Sequence, residues 1–524
     1  MPPLKLTRDI IMQITGHEVL GIDAGTQGIS VILWSPESRH ILAVGESTYA
    51  HDYIPDRPDG HLEQYAHYWS DALPKAMAQL RAALPAPLEK VAAIGVTGHM
   101  HCMVRKNAAG EKPWGCDMWN DPRGVAESRE LGKAFGEHIP ARWTASHILC
   151  AMRDPESRWE EVTGVNVASG SIVHDLTEEW VVGPGDASGM FGNLGEDGQI
   201  DREKCRKIDA LTGHRFPPLE EAVPRVVSAG EVAGRLTEAG SALLGGLPVG
   251  TPVAAPEGDQ QSVLVGAGAG ELELALSAGT SFAGNLPCTA KVVAENESVN
   301  VLSTPDTRTM LMVCARNGTV GFANYVKGLA ELTGAGFAET ADRLTDLAAA
   351  LPVEAYGTTM LGFFQGENVA ELPHARARIV DAGLELLANP GLMARLLLES
   401  PCMVMRYGLK QVEPKVGKVR RVILSGGVLK SKGGYAPQLF ADILGVPVVA
   451  RVGDEEGTAK GAAVLAAFMA ARQEGQDVAF DAFVREACGG KEEVWEPDAA
   501  RKAAFDDRYQ RFEAGLRDMQ AQEG

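Results

Sequence analysis

The chain lacks two patterns that point to common kinds of site. No two of its eight cysteines form a Cys-x-x-Cys pair, and their scattered positions fit no regular disulfide framework. Such cysteines are typical of reduced thiols in a cytosolic protein, so none needs a catalytic role. The sequence also contains no Gly-x-x-x-x-Gly-Lys-Ser/Thr run, which argues against a P-loop nucleotide enzyme.

Positive charge and long apolar runs are also scarce. The 49 Lys and Arg residues are outnumbered by 69 Asp and Glu residues, which gives a net charge of −20. An acidic surface disfavours nucleic acid and anionic membranes as partners, since both attract basic proteins. The apolar run 461–471 is too short to span a bilayer, and charges interrupt residues 1–18, unlike a signal peptide. We therefore predict a cytoplasmic protein whose partners are small molecules.

Glycine-rich turns are the most informative feature that is present. Residues 19–33 resemble two apolar strands joined by Gly25-Thr26-Gln27-Gly28, with Asp23 near the end of the first strand. The glycines let the backbone turn sharply and approach a ligand, and the hydroxyl and amide of Thr26 can contact phosphate. The Asp23 carboxylate can hold hydrated Mg²⁺. An ordinary hairpin turn uses the same residue types, so this motif alone leaves both interpretations open.

Two later segments repeat the strand and the glycine turn. Ala278-Gly279-Thr280-Ser281 follows the apolar segment 274–276 without the Asp, and Ser425-Gly426-Gly427 follows the apolar segment 422–424. The first repeat indicates an internal duplication with two phosphate hairpins. Bare backbone at the third turn leaves room for a flat base or ribose, and Lys430 could contact phosphate or ribose, or lie in solvent. The three turns predict one ATP bound between two domains.

A buried strand is predicted over residues 91–96, and it leads into a polar segment. Met100 and His101 lie just beyond its carboxyl end, where open α/β sheets bind ligands, so they are candidate sugar contacts. A metal site of His99, His101 and Cys102 is one alternative, but side chains at alternate positions of a strand end point in opposite directions. A histidine that simply fills the core or a turn is another alternative.

Asp259 is the candidate general base, because phosphoryl transfer needs a group that receives the proton of the acceptor. It follows a short predicted strand at the expected N-terminus of a helix, where the dipole and free amides would keep its carboxylate ionised. A plain helix N-cap is the alternative role. Its neighbour Gln260 can exchange hydrogen bonds with a polyol. Trp119 could cover the apolar face of a sugar, although tryptophan also fills cores.

The three turns resemble motifs of the FGGY family of carbohydrate kinases, and the resemblance extends over about residues 18–470. Further matching landmarks are Gly60-His61-Leu62-Glu63-Gln64, Trp119-Asn120-Asp121-Pro122-Arg123 and the segment 457–463. The resemblance implies an α/β fold of two actin-like (ribonuclease H-like) ATPase domains with the active site in the cleft between them. It also implies ATP and Mg²⁺ as cofactors and makes a homodimer possible.

The resemblance assigns expected roles to individual residues. Asp259 would be the catalytic base, and Asp23 would hold the metal. Met100 and His101 are similar to the sugar-contacting pair of xylulokinases, and Gln260 occupies the place of a sugar-binding amide. The substrate set is Met100, His101, Trp119, Asp259 and Gln260, and the nucleotide set is Gly25, Thr26, Gln27, Gly279, Thr280, Ser281, Gly426, Gly427 and Lys430.

A chain of 524 residues is too long for one core and fits two α/β domains of roughly 200 to 250 residues each. We predict an N-terminal extension over 1–17, a sugar- and phosphate-binding domain over 18–265, and an adenosine-binding domain over 266–473. The remaining 474–524 are predicted to form a charged helical tail, which is either a solvated end or a cap on a domain or a neighbouring molecule.

The substrate class depends on two clues that disagree. The pair Met100-His101 favours a ketose such as xylulose, whereas Gly258-Asp259-Gln260-Gln261 is more similar to glycerol kinases. We give more weight to the first, because that pair would touch the body of the sugar. The sequence therefore predicts transfer of the γ-phosphoryl of ATP to a primary hydroxyl of a ketose, most simply xylulose or a related ketopentose. The alternatives are another polyol or ketose (glycerol, ribulose, sedoheptulose), or a non-catalytic actin-like nucleotide switch.

Overall fold

The computed structural model describes residues 14–353, 357–451 and 457–523. The chain forms two compact units. The first contains Met1–Gly268, Ser303–Thr307 and Glu456–Gly489, and the second contains Ala269–Leu302, Arg308–Glu455 and Gly490–Gly524. The first change of unit lies close to the boundary predicted at residue 265. The two units nevertheless exchange segments later in the chain, which the sequence did not predict.

The bounds of the regular elements follow the chain from its amino end. The strands are β1 Val19–Ala24, β2 Gly28–Ser35, β3 His40–Thr48, β4 Glu63–Tyr65, β5 Ala93–Gly98, β6 Val104–Lys106, β7 Gly115–Asp117, β8 Gly164–Asn166, β9 Val181–Val182, β10 Arg225–Val226, β11 Val232–Arg235, β12 Pro252–Ala254, β13 Glu257–Gly258, β14 Glu273–Ala278, β15 Phe282–Cys288, β16 Asn300–Ser303, β17 Thr309–Ala315, β18 Thr359–Leu361, β19 Arg378–Val380, β20 Arg421–Ser425, β21 Val448–Arg451 and β22 Glu492–Trp495. The α-helices are α1 His67–Ala83, α2 Val125–Phe135, α3 Thr144–Arg153, α4 Ala168–Thr177, α5 Pro184–Phe191, α6 Arg202–Leu211, α7 Glu238–Leu243, α8 Asp259–Gly266, α9 Val320–Thr333, α10 Phe337–Ala349, α11 Glu385–Ala388, α12 Pro390–Val416, α13 Tyr435–Leu444, α14 Gly457–Gln473, α15 Phe480–Ala487 and α16 Ala499–Glu523.

The first unit is built on a mixed sheet with the strand order β11-β12-β5-β1-β2-β3, and β13 also pairs with β5. Strands β1, β2 and β3 form an antiparallel meander, whereas β5 runs parallel to β1 and to β13. All six residues of β5 are buried, as expected for a central strand that is covered on both faces. The carboxyl ends of β1, β5 and β13 therefore meet at one edge of the sheet.

Helix α14 packs directly on β1 and β5, although the sequence placed residues 457–473 in the adenosine-binding domain. Two strand glycines allow the close approach. A side-chain carbon added at Gly95 would lie 1.9 Å from the carbonyl oxygen of Ala462, and one added at Gly21 would lie 2.2 Å from that of Ala459. The alanine-rich helix and the bare strands thus fit each other, and α14 belongs to the first unit.

The second unit repeats the pattern of the first. Its sheet has the order β16-β17-β15-β14-β20-β21-β22. Strand β14 pairs antiparallel with β15, which pairs antiparallel with β17, while β20 runs parallel to β14 on the other side. The hairpin and the parallel neighbour thus recur in both units, which agrees with the internal duplication that the sequence predicted.

The prediction that the charged carboxyl-terminal segment is a solvated end is wrong. Helix α16 buries one apolar face in the core of the second unit, made of Phe505, Tyr509, Phe512, Leu516 and Met519. These residues recur every three or four positions, which is the period of a helix face. Polar residues on the remaining faces conceal that period in the composition. In the described residues no helix is both long and apolar enough to cross a membrane.

A buried ion-pair cluster fixes α16 to the long helix α12. The Glu399 carboxylate accepts a hydrogen bond from Arg395 Nε at 2.6 Å and another from Arg508 Nη2 at 2.6 Å. All three residues are buried. Because each charge has a partner of opposite sign, the cluster offsets the cost of burying them.

Candidate active site

Three strand ends of the first unit bring the predicted motifs of that unit together. In the pairing register Asp23 of β1 lies beside Thr97 of β5, and Thr97 lies beside Glu257 of β13. The chain therefore leaves the sheet at the same level three times. The first exit is the glycine hairpin, the second leads to Met100, and the third leads to Asp259. One sheet edge thus carries the phosphate, sugar and base motifs of this unit.

The first glycine hairpin is held from behind by side chains from other segments. The hydroxyl of Tyr49 donates to the Gly25 carbonyl oxygen at 3.0 Å, and Gln64 Nε2 donates to the Thr26 carbonyl oxygen at 2.7 Å. Trp119 Nε1 donates to Thr26 Oγ1 at 3.2 Å. Since the carbonyl groups are occupied in this way, the turn is rigid before any ligand arrives. Gln27, at the tip, is exposed.

Trp119 therefore lies against the phosphate hairpin through its indole N–H, and 42% of the residue is exposed. Its neighbour Arg123 has a structural role, because the guanidinium contacts three carboxylates. Arg123 Nη2 lies 2.9 Å from Glu63 Oε1, 2.9 Å from Asp117 Oδ1 and 2.7 Å from Asp121 Oδ2. These ion pairs fix the loop that presents the tryptophan.

Met100 and His101 are both buried, and the two neighbouring histidines face different partners. His99 Nδ1 lies 3.1 Å from the Ala24 carbonyl oxygen, and His101 Nδ1 lies 2.9 Å from the Gly189 carbonyl oxygen. Burial lowers the pKa of His99 to about 4, and burial together with the charge of Arg142 lowers the pKa of His101 to about 3. Both rings are neutral at pH 7, and each Nδ1 carries the proton because a carbonyl oxygen only accepts. Nε2 of His101 is left as an acceptor.

The histidine segment forms no chelating site. In the described part of the chain, no group of three or more His, Cys, Asp or Glu side chains is arranged to hold a metal ion. The Cys102 thiol is buried, and burial raises its pKa well above the usual value. A protonated thiol is a poor metal ligand.

Asp259 is the first residue of helix α8, one position beyond the N-cap residue Gly258. Its half-buried carboxylate accepts hydrogen bonds from Gln260 Nε2, at 3.2 Å, and from the backbone N–H of Met100. Burial is the largest influence and raises its pKa to about 6, although these hydrogen bonds oppose the rise. The expectation that the helix terminus dominates is therefore wrong, since burial outweighs it. At pH 7 about nine-tenths of the carboxyl groups are still ionised.

The second unit brings the other two glycine turns together. Strands β14 and β20 are parallel neighbours with Ser277 beside Ser425, so both turns leave the sheet at one level. Gly426 has a φ of +99°, and a side-chain carbon there would lie 2.5 Å from the Ala278 carbonyl oxygen. Only glycine fits at this position. A carbon added at Gly427 would meet nothing within 4 Å, so its surface is open.

A further turn of the second unit supports the second hairpin, and the sequence analysis missed it. The backbone N–H groups of Gly318 and Thr319 donate to the carbonyl oxygens of Thr280 and Gly279, both at 2.9 Å. Thr319 Oγ1 also donates to the Gly279 oxygen at 2.8 Å. The signal was present, because Asn317-Gly318-Thr319 is a turn sequence that follows the apolar strand β17. The side chain of Lys430, the remaining predicted nucleotide contact, lies outside the described residues.

Comparisons with known proteins agree with this arrangement. Residues 18–266 match the N-terminal domain, and residues 274–470 the C-terminal domain, of the FGGY family of carbohydrate kinases. A xylulose kinase of Haemophilus influenzae is 26% identical over 476 residues, covering 85% of this chain and 90% of that protein. A glycerol kinase of Beutenbergia cavernae is 25% identical over 476 residues, covering 86% of this chain and 88% of that protein.

The fold comparison gives the same result. A crystal structure from Brucella ovis, described as a xyloylose kinase, superposes with a TM-score of 0.83 at 22% identity. The superposition covers 96% of this chain and 100% of that one. The predicted two-domain fold and the predicted enzyme class, a sugar kinase, are confirmed. The chain belongs to the FGGY family of carbohydrate kinases.

Proposed function

We propose that this protein is a kinase that uses ATP and Mg²⁺ to phosphorylate a primary hydroxyl of a ketose, either xylulose or a related ketopentose. One observation carries the proposal: the Asp259 carboxylate stands at the same sheet edge as Met100, His101 and the first glycine hairpin. Membership of the family supports the reaction class. The similarity to xylulose kinases supports the acceptor.

Asp259 would accept the proton of the acceptor hydroxyl. Its carboxylate is mostly ionised at neutral pH, is partly accessible, and has a pKa near the working pH, as suits a general base. The hydrogen bonds from Gln260 and from the Met100 backbone fix the orientation of the carboxylate before substrate binds. His101, held neutral by its surroundings, offers Nε2 as an acceptor for another hydroxyl of the sugar.

The glycine turns fit phosphate and nucleotide ligands because their backbone is accessible and rigid. Backbone amides of Gly25, Thr26 and Gln27, and of Gly279, Thr280 and Ser281, would contact phosphate oxygens. Gly426, Gly427 and Lys430 would contact the adenosine. Asp23 would hold hydrated magnesium, which agrees with the preference of Mg²⁺ for few carboxylates plus substrate phosphates. Bound Mg-ATP supplies the phosphoryl group and neutralises the charge that develops during transfer.

Glycerol is the second candidate acceptor, and the run Gly258-Asp259-Gln260-Gln261 favours it. The contacts of Gln261 weaken that argument. Gln261 is fully buried, and its Nε2 donates to the Ser303 carbonyl oxygen at 3.2 Å. Only Gln260 of the two amides is partly exposed at the sheet edge. The glycerol-kinase-like part of the run thus serves packing, which leaves the acceptor preference to Met100 and His101.

The test is a coupled ADP-release assay with D-xylulose, L-ribulose, sedoheptulose and glycerol. We expect the largest kcat/KM with a ketopentose, and we expect Asp259→Asn to lose about 10² to 10⁴-fold in kcat while still binding ATP. Asp71→Asn, on the exposed face of helix α1, is the matched control and should keep the parent rate. Greater activity with glycerol would reverse the acceptor assignment. Tight ATP binding without stimulation by any sugar would favour the non-catalytic switch.

A further inference from the structure

Two buried carboxyl groups lie behind the candidate base, and the sequence motifs did not include them. Asp186 is the third residue of helix α5, and Glu257 belongs to strand β13. Only 1% of Asp186 and none of Glu257 is exposed. Ser169 Oγ donates to Asp186 Oδ2 at 2.5 Å, and the Gly185 backbone N–H donates to Glu257 Oε1 at 3.4 Å. Glu257 thereby caps the helix that carries Asp186.

Glycine residues allow these carboxyl groups to approach the backbone of the base. A side-chain carbon added at Gly258 would lie 2.9 Å from Asp186 Oδ1, so only a hydrogen atom separates that oxygen from the residue preceding Asp259. Asp186 Oδ1 and Glu257 Oε2 find no hydrogen-bond partner among the described residues. A buried carboxyl oxygen without a partner is costly when charged, so the geometry favours the protonated form of both groups.

The electrostatic surroundings of Asp186 favour the same state. The ionisable groups nearest to it are Cys102, Glu257 and Asp259; in addition His101 bonds to helix α5 at Gly189, and His147 lies on helix α3, which packs against α5. Burial and the charge of Asp259 raise the pKa of Asp186 to about 8, against the opposing effect of the Ser169 hydrogen bond. Burial and the Asp186 charge raise the pKa of Glu257 well above its usual range. The imidazoles of His101 and His147 have lowered pKa values, and the Cys102 thiol has a raised one. Asp259 is thus the group of this set that carries charge at pH 7.

We propose that Asp186 is a positioning residue that acts through Asp259: its carboxyl stays protonated behind Gly258 while the base is ionised, and its own ionisation at alkaline pH suppresses phosphoryl transfer. The inference rests on the proposed function for its consequence, but not for the state of the carboxyl group itself. A second negative charge beside Asp259 would repel the phosphoryl group as it approaches the acceptor. The kinase should therefore have an alkaline limit that the base alone would not impose.

The kinetic test is kcat/KM for the sugar between pH 6 and pH 10. We expect the parent enzyme to lose activity above about pH 8, by about tenfold per pH unit, and we expect the isosteric Asp186→Asn variant to stay level. Ser169→Ala removes a hydrogen bond that favours the charged form, so its limit should rise by about 0.7 of a pH unit. Asp71→Asn should retain the parent profile.

The two variants protect the test from a folding failure. An unchanged alkaline limit in Asp186→Asn overturns the inference, and if that variant does not fold, an unchanged limit in Ser169→Ala overturns it as well. A structural role alone would lower activity at every pH without moving the limit.

A second readout needs no activity. In intact protein labelled with ¹³C at the aspartate carboxyl carbons, one resonance should titrate near pH 8 and should be missing from Asp186→Asn. If that resonance is absent from the parent protein, the inference is wrong even when the kinase is active. If it is present but no sugar is phosphorylated, the proposed function fails while the assignment of the carboxyl group holds.

Discussion

The pH at which activity declines on the acid side tests the environment of Asp259 most directly. The base must be ionised to accept a proton, and burial raises its pKa from 3.8 to about 6. At pH 5 only about one carboxyl group in eleven would be ionised, so kcat/KM should be about tenfold lower than at pH 7. A carboxyl group with the ordinary pKa would be more than nine-tenths ionised at pH 5, and the decline would then be barely measurable.

The assay is kcat/KM for the sugar from pH 4.5 to pH 8, with Mg-ATP saturating at each pH. ATP itself titrates near pH 6, so the parent profile is compared with that of Gln260→Ala, in which the ATP is the same. Gln260 Nε2 donates to Asp259 Oδ2 at 3.2 Å and favours the charged form. Its loss should move the acid limit up by about 0.7 of a pH unit. An acid limit below pH 4.5, or one that moves down in Gln260→Ala, would refute the reasoning.

Two further predictions concern the second unit. Gly426→Ala should weaken ATP binding at least about tenfold by calorimetric titration, because φ is +99° and the new carbon would lie 2.5 Å from the Ala278 carbonyl oxygen; unchanged affinity would contradict the role of this turn. Glu399→Ala leaves two buried arginines without their shared partner, and it should lower the free energy of unfolding in urea by about 3 to 5 kcal/mol. Glu331→Ala, on the exposed face of α9, should change it by less than about 0.5 kcal/mol.

The sequence predicted the glycine turns well because their physical requirements are local. A turn that follows a buried strand needs glycine for its backbone shape, and that need is visible within a few residues. Asp259 at the start of a helix was predicted for the same reason, since strand, glycine and helix are consecutive. Its raised pKa could not be predicted, because the burial that causes it comes from segments far along the chain.

The groups around the base were missed for the same physical reason. Ser169, Asp186 and Glu257 are separated by 17 and 71 residues, and none lies in a recognisable motif. Each is an ordinary polar residue until the fold buries it. The position of α14 is a similar case. Its small residues favour close packing, but nothing in the helix itself indicates that its partner strands are β1 and β5 rather than those nearer in the chain.

The duplicated halves differ at one position that bears on the metal. In the first unit the register places Asp23 beside Thr97, and in the second it places Ser277 beside Ser425. Both hairpins continue with Ala-Gly-Thr, so Asp23 and Ser277 are equivalent positions. Two carboxylates facing the phosphates would add repulsion, whereas a hydroxyl can only donate to them or accept from a neighbour. A hydrated magnesium ion is therefore expected at the first hairpin alone, and the second hairpin is suited to phosphate without metal.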